Sequence, residues 1–150
     1  MKFELRWLNC LWLMAPLLAW NILLAPKITL EQVVSDANSP VWLLTTENLT
    51  RIIIFTFPLW MPLQVHDGFG KIGLITYLAG MLLYFASWLL LIWMPNSFWS
   101  QSTAGLLAPR ITPLLAFFGI ALIGHFIPYA ILSILFTLLH TLHGIQNLAP

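Results

Sequence analysis

Four long runs of apolar residues alternate with short polar segments along the chain. A helix that crosses the roughly 30 Å hydrocarbon core of a bilayer needs about 20 mostly apolar residues, and each run approaches or exceeds that length. The pattern predicts an all-α integral membrane protein, a four-transmembrane-helix bundle that forms one polytopic domain over residues 1–150. The predicted spans cover approximately residues 7–25, 40–65, 72–94 and 111–139.

The second span contains two charged residues, Glu47 and Arg51, in an otherwise apolar segment. If its helix began at Ile52, the remaining apolar run would be too short to cross a membrane. Ser39 and Pro40 offer an earlier start, because serine favours the N-cap and proline the first helical position. From that start, Glu47 and Arg51 lie about one turn apart with the acid first, the favourable order for a helical ion pair. We therefore predict that the pair neutralises itself in the outer third of the membrane.

The chain before the second span carries three further predictions. In the first loop, Thr29 and Gln32 have capping-box spacing, which predicts a short helix lying at the membrane interface. The amino-terminal apolar stretch is long for a signal peptide and lacks a good cleavage site, so we interpret it as the first span. Basic residues divide evenly between the two sides, but the acidic first loop favours a cell membrane protein with both termini in the cytoplasm.

One face of the third span combines small residues with hydroxyl groups. Gly73, Tyr77, Gly80, Tyr84 and Ser87 follow one another at steps of four and three, which places them on one side of a helix. Small residues allow two helices to approach closely, and hydroxyl groups can bond across the contact. We interpret this face as a packing seam, with a ligand-lining face as the alternative.

The composition supports a membrane location and excludes several other classes. Charged residues make up 7% of the chain, against about 25% in a typical soluble domain, and the mean hydropathy is +0.89. The net charge of +1 provides no basic patch for nucleic acid. Cys10 is the sole cysteine, so an intramolecular disulfide and a multi-cysteine metal site are excluded.

The predicted fourth span carries His125 near its middle, followed one turn later by Tyr129. An ionisable side chain in hydrocarbon needs a partner, so His125 marks either a helix contact or a functional group. We favour a neutral histidine that bonds to a tyrosine or a backbone carbonyl; a ligand contact, a proton relay and haem ligation are the alternatives. Haem between helices would need a second histidine at the same depth, which only a second copy of the chain could supply.

His140 and His143 share one helix face at the end of the predicted fourth span. In a four-span topology they lie on the same side of the membrane as His66 and Asp67. Three imidazoles and a carboxylate suit zinc or another divalent metal. Their spacing matches no metal-binding motif, however, and solvated or interfacial histidines are the favoured interpretation.

The opposite side of the membrane is predicted to hold Glu47, Asn48, Arg51 and Arg110. Guanidinium groups bind phosphate and carboxylate groups bidentately, so this cluster suits a lipid headgroup or a small anion. The favoured interpretation is that both arginines are interfacial anchors and helix-start pairs, and a ligand-binding site is the alternative.

The sequence shows no catalytic motif of a recognised kind, so an enzyme is not favoured. The favoured function is a non-enzymatic membrane subunit or interaction protein that contacts membrane lipids and forms homo- or hetero-oligomers with other membrane proteins. The second is a module that binds or transports a lipid or small anion through Glu47, Arg51 and Arg110. The third is a membrane enzyme that acts on lipid headgroups. No cofactor is predicted beyond the alternatives of a divalent metal or haem.

Overall fold

A computed structural model of the chain describes residues 7–24, 27 and 39–148. Within these residues the secondary structure is helical, apart from an isolated antiparallel bridge between Asn9 and Pro62. The interfacial helix predicted in the first loop lies outside the described residues. The helices are α1 (Ala15–Leu24), which follows a 3-10 turn at Cys10–Leu13; α2 (Val41–Thr56), which continues into a 3-10 turn at Phe57–Trp60; α3 (Gly68–Trp93); α4 (Phe98–Gln101); α5 (Thr103–Ile111); α6 (Pro113–Ile123); and α7 (Ile127–Leu148).

Three helical stretches are long and apolar enough to cross a membrane: α3, the nearly continuous α5 and α6 at residues 103–123, and α7. The predicted class of apolar, all-helical protein is thus confirmed for the described residues. Among the residues that the structure describes, the helical part of the predicted first span runs from Cys10 to Leu24. That length corresponds to roughly 20–25 Å, less than the thickness of the hydrocarbon core.

The helix α2 begins where the early start was predicted, so that it contains both Glu47 and Arg51. Pro40 occupies the N-cap position, and the hydroxyl of Ser39 makes no cap but bonds to Oδ1 of Asn147 at 3.1 Å. The predicted extension to residue 65 is wrong. Pro58 has no N–H to donate, and the chain tightens into the 3-10 turn and then leaves the helical conformation.

The predicted single span at residues 111–139 is also wrong, because a tight turn divides it into α6 and α7. His125 has a φ of 51°, the left-handed conformation of a Schellman motif. The N–H of Phe126 donates to Ala121 O at 2.9 Å and that of His125 to Leu122 O at 3.2 Å. Pro128 stands at the second position of α7, where a missing N–H costs nothing, and so helps to start a helix instead of kinking one.

This turn changes which polar residues lie together. The bundle has an Asp67 end, where α3 begins and where the α6–α7 turn lies, and a Ser39 end, where α2 begins and α7 finishes. Cys10 N–H donates to Met61 O at 2.9 Å, so the described chain enters at the Asp67 end. Asn147 in the last turn of α7 bonds to Ser39, so the described chain leaves at the Ser39 end. This differs from the predicted arrangement, in which both ends of the chain lie on one side.

The helices α3 and α6 share the most extensive contact between the elements of the described chain, through the face predicted as a packing seam. A Cβ atom on Gly80 would come within 2.9 Å of Ala116 Cα, and one on Gly73 within 2.8 Å of Gly119 O. Tyr77, Tyr84 and Ser87 on the same face are buried. The packing-seam interpretation is therefore confirmed at Gly73 and Gly80, whereas Tyr84 on the same face lines a cavity.

Candidate functional site

A buried carboxylate links α2 to α7 near the Ser39 end. The side chain of Glu47 is 2% exposed. Its Oε1 lies 2.9 Å from Nδ1 of His140, and its Oε2 lies 2.6 Å from Nδ1 of His143. A neutral imidazole protonated on Nδ1 can donate to each oxygen, so the carboxylate is hydrogen-bonded without requiring a charged histidine. The guanidinium of Arg51 donates to Oε1 as well.

Helical spacing on both partners produces this cluster. Glu47 and Arg51 are four residues apart on α2, and His140 and His143 are three apart on α7, so each pair projects from one face. The two helices pack against each other in opposite directions. The predicted Glu47–Arg51 pair is therefore confirmed as a contact. The two histidines as partners of Glu47 were missed, because the predicted undivided fourth span placed them at the other end of the molecule.

Arg110 lies beside the same cluster, in the last turn of α5. Its Nη1 donates to the carbonyl oxygen of His140 at 3.3 Å. Its side chain crosses α7 directly over Gly144, where a Cβ atom would come within 2.7 Å of both Cδ and Nη1 of the arginine. A larger residue at 144 would therefore force the side chain of Arg110 to shift from its place against α7.

A cavity of about 500 Å³ opens between α1, α2, α3, α5, α6 and α7 next to this cluster. Its polar lining includes Arg51, Arg110 and His140, together with Asn21 and Asn147. The rest of the lining is mostly aliphatic and aromatic, with residues such as Leu17, Phe55, Leu107, Phe117 and Phe136. Glu47 is not part of the lining, and its carboxylate stands behind Arg51 and His140. Asn48, the fourth predicted member of the anion site, is exposed and accepts a bond from Nη1 of Arg51 at 3.3 Å.

Two more of the predicted ligand-binding residues lie away from the cavity. His125 is in the α6–α7 turn, not at mid-span, and its Nε2 lies 2.9 Å from Oδ2 of Asp67. Its partner is thus a carboxylate, not the tyrosine or carbonyl that was expected. Tyr129 is fully buried, and its hydroxyl donates to Ile54 O at 3.1 Å. Both residues hold helices together, and neither lines the cavity.

The predicted metal site is not assembled in the structure. His66 and Asp67 are at the Asp67 end, whereas His140 and His143 are at least three turns along α7 toward the other end, about 20 Å away. His66 is exposed, and Asp67 caps α3 through a 2.9 Å bond from the N–H of Gly70. Among the residues that the structure describes, no group of three or more His, Cys, Asp and Glu side chains has a geometry that suits a metal ion.

Comparisons of the chain with protein-family models, with curated proteins and with solved structures found no match. The functional argument therefore rests on the cavity and on the charged cluster beside it.

Proposed function

We propose that this protein is an integral membrane protein that binds an amphiphile with an anionic headgroup, without catalysing a reaction on it. The observation that carries the proposal is the cavity between the helices. Arginines from two different helices, Arg51 and Arg110, line it together with His140, and apolar side chains make up most of the remaining wall.

The polar part of the cavity suits an anion. Guanidinium groups bind phosphate and carboxylate oxygens through paired, charge-assisted hydrogen bonds. Arg51 and Arg110 come from α2 and α5, so one headgroup between them would contact two helices at once. Asn21 and Asn147 add amide groups that can donate to the same headgroup.

The apolar part of the cavity suits a hydrocarbon chain. Burying one CH₂ group contributes about 0.8 kcal/mol, so the apolar walls favour a ligand that carries a tail over a bare anion. The volume of about 500 Å³ is within the range of roughly 300–1,000 Å³ that small-molecule sites occupy. It accommodates a headgroup and part of an acyl chain.

A bilayer would supply such a ligand, and the outer surface of the bundle supports that location. Large apolar side chains on α3 are widely exposed, including Ile75 at 68% and Leu82 at 70%. We place the protein in the cell membrane with these side chains facing lipid. In that arrangement only one end of the described chain faces the cytoplasm. The expected role as a subunit of a larger membrane assembly stays a prediction, as do oligomerisation and an activity on lipid headgroups.

Lipid retention by the purified protein tests the proposal. The protein in a non-ionic detergent is incubated with phosphatidylglycerol or with phosphatidylcholine and analysed by native mass spectrometry. We expect one phosphatidylglycerol to be retained, and the affinity to fall by about tenfold or more in Arg110→Gln, the equivalent of at least ~1.4 kcal/mol. Arg51→Gln should have a similar effect, because both guanidinium groups are expected to contact the headgroup.

Lys71→Gln is the matched control. It also removes one positive charge, but Lys71 is exposed near the start of α3, at the opposite end of the bundle from the arginines. This variant should retain phosphatidylglycerol like the unaltered protein. Equal retention of phosphatidylcholine, or equal losses in Lys71→Gln and Arg110→Gln, would contradict a headgroup site in the cavity.

A further inference from the structure

Two side chains contact the buried Glu47 carboxylate and also line the cavity, namely Arg51 and His140. Arg51 is always charged, whereas His140 is charged only when its imidazole binds a second proton. Nδ1 of His140 lies 2.9 Å from Oε1 of Glu47, so the neutral ring that bonds to the carboxylate carries its proton on Nδ1. Nε2 is then the nitrogen at which a further proton can bind, in a ring that forms part of the cavity wall.

The charged groups around His140 come from α2 and α5. One carboxylate stands against two guanidinium groups, which gives an excess of one positive charge from Glu47, Arg51 and Arg110. The other titratable neighbours are His143 on α7, which bonds to Oε2 of Glu47, and Tyr84 of α3, which also lines the cavity; α1 and α6 contribute none. A proton on His140 would add to the positive excess, and a bound anion would offset it.

We infer that His140 is a proton-binding site, so that the cavity takes up an anionic headgroup together with a proton. This inference rests on the proposed function. The imidazolium would donate from Nδ1 to Glu47 and from Nε2 to a headgroup oxygen, and would thus lie between two negative charges. Because linkage is reciprocal, a ligand that favours the protonated ring binds more tightly as the pH falls, and its binding removes protons from the solution.

A phosphodiester ligand allows this linkage to be measured, because its single negative charge is constant over the range of about pH 5–8 in which histidine titrates. Lauroyl lysophosphatidylglycerol, below its micellar concentration, is titrated into the protein in a non-ionic detergent by isothermal calorimetry. We expect its affinity to be at least about fivefold higher at about pH 5.5 than at about pH 8.5. Titrations near neutral pH in two buffers with different ionisation enthalpies measure the protons exchanged, and we expect net uptake.

Three variants identify the group that binds the proton. His140→Gln keeps an amide that can donate to Glu47 but has no group that titrates in this range, so its affinity should not depend on pH and its proton uptake should vanish. His143→Gln should retain both effects, because His143 bonds to Glu47 but does not line the cavity. His66→Gln is the matched control, since His66 is exposed at the Asp67 end, and it should behave like the unaltered protein.

The inference also stands or falls on the unaltered protein, in case His140→Gln does not fold. Equal affinities at the two pH values, or no proton uptake, would overturn it without any variant. Proton uptake that persists in His140→Gln, or that is lost in His143→Gln or His66→Gln, would assign the proton to another group and would overturn it as well. If the unaltered protein binds the lysophospholipid at neither pH, the proposed function fails, and the inference fails with it.

Discussion

Glu47 shows how an acidic side chain can be buried in an apolar bundle. Moving a lone carboxylate out of water costs several kcal/mol, and the cost is offset only when the charge is paired and its oxygens are hydrogen-bonded. Here Arg51 supplies the charge, and two imidazoles supply hydrogen bonds to the two oxygens. Arg51 differs from its partner because it is partly exposed and can reach water without Glu47. Loss of the partner therefore leaves Glu47 with a buried charge, whereas Arg51 can be solvated.

The first prediction concerns this asymmetry. We expect Arg51→Gln to destabilise the protein by about 1–3 kcal/mol, since it leaves a buried charge without its counter-ion. Glu47→Gln should cost less, because the amide retains hydrogen-bonding capacity and the arginine can turn to solvent. The double variant should be more stable than Arg51→Gln alone. Thermal unfolding of the unaltered protein and the three variants in detergent gives this double-mutant cycle. If the effects of the two single substitutions on stability simply add in the double variant, the charges do not interact.

His125 combines a strained backbone with a side-chain bond. Its φ of 51° is one that L-residues avoid, although histidine, asparagine and aspartate adopt it more readily than most. The bond from its ring to Asp67 connects the α6–α7 turn to the start of α3. The residue is thus a helix terminator whose side chain also anchors the turn.

The second prediction separates these two contributions. His125→Gly removes the ring but tolerates the backbone conformation, whereas His125→Val removes the ring and opposes the conformation. The difference in unfolding free energy between the two variants should be about 1–2 kcal/mol in favour of glycine. Chemical denaturation in detergent measures it. Equal stability of the two variants would mean that residue 125 does not hold the left-handed conformation in solution.

At the residue scale, local contacts were predictable from the sequence and distant ones were not. The Glu47–Arg51 contact follows from a spacing of four on a helix, which the sequence displays directly. The contacts of Glu47 with His140 and His143 depend on how α7 is placed against α2, and no local spacing encodes that. The sequence offered one signal, namely two histidines three residues apart in one segment and a lone acid in another apolar helix. This signal does not identify the acid and the histidines as partners.

At the scale of elements, α3 and α6 are the best-defined pair. Glycines on α3, and a glycine and an alanine on α6, bring the two backbones together without side chains between them. The sequence predicted the α3 half of this contact from periodicity alone. It did not predict the partner, because α6 was read as part of a single longer helix.

The third prediction tests the close approach of these helices. Gly80→Ala should destabilise the protein by about 1–3 kcal/mol, since the added methyl group meets the backbone of Ala116. Gly68→Ala is the control, because a Cβ at that position has no heavy atom within 4 Å. Its effect should stay within about 0.5 kcal/mol. Equal effects of the two substitutions on thermal stability would contradict the packing described for α3 and α6.

The division between α6 and α7 shows what hydropathy does not resolve. The helix is interrupted at Gly124, His125 and Phe126. The chain stays largely apolar through these residues, so the hydropathy does not indicate a membrane surface there. The relevant signals were conformational, a glycine at the end of one helix and Pro128 at the start of the next. Length offered another signal, since the predicted span exceeded the roughly 20 residues that a crossing needs.

At the scale of the whole molecule, the turn determines which polar groups share an end. Asp67 and His125 meet at one end of the bundle, and the cluster of Glu47, Arg110 and His140 lies toward the other. The cavity is next to this second cluster and is lined by Arg110 and His140 from it.

The fourth prediction concerns this arrangement in a membrane. Single cysteines at residues 68 and 127, in a Cys10→Ala background, should react with an impermeant maleimide from one side of sealed vesicles. Single cysteines at residues 96 and 145 should react from the other side. The position at 127 is decisive, because an undivided span at 111–139 would bury it in mid-membrane. Failure of that cysteine to react from either side would contradict the α6–α7 turn.

The contacts of Glu47 have a consequence for biosynthesis. The ribosome completes α2 long before it produces His140 and His143, so the carboxylate initially has Arg51 as a partner but lacks the imidazoles. A lone helix with incompletely compensated charges is a poor substrate for the translocon. We therefore expect α2 to remain at the membrane surface during translation and to enter the bilayer only when α7 emerges. The last step of assembly would then join α2 and α7, which are synthesised far apart along the chain.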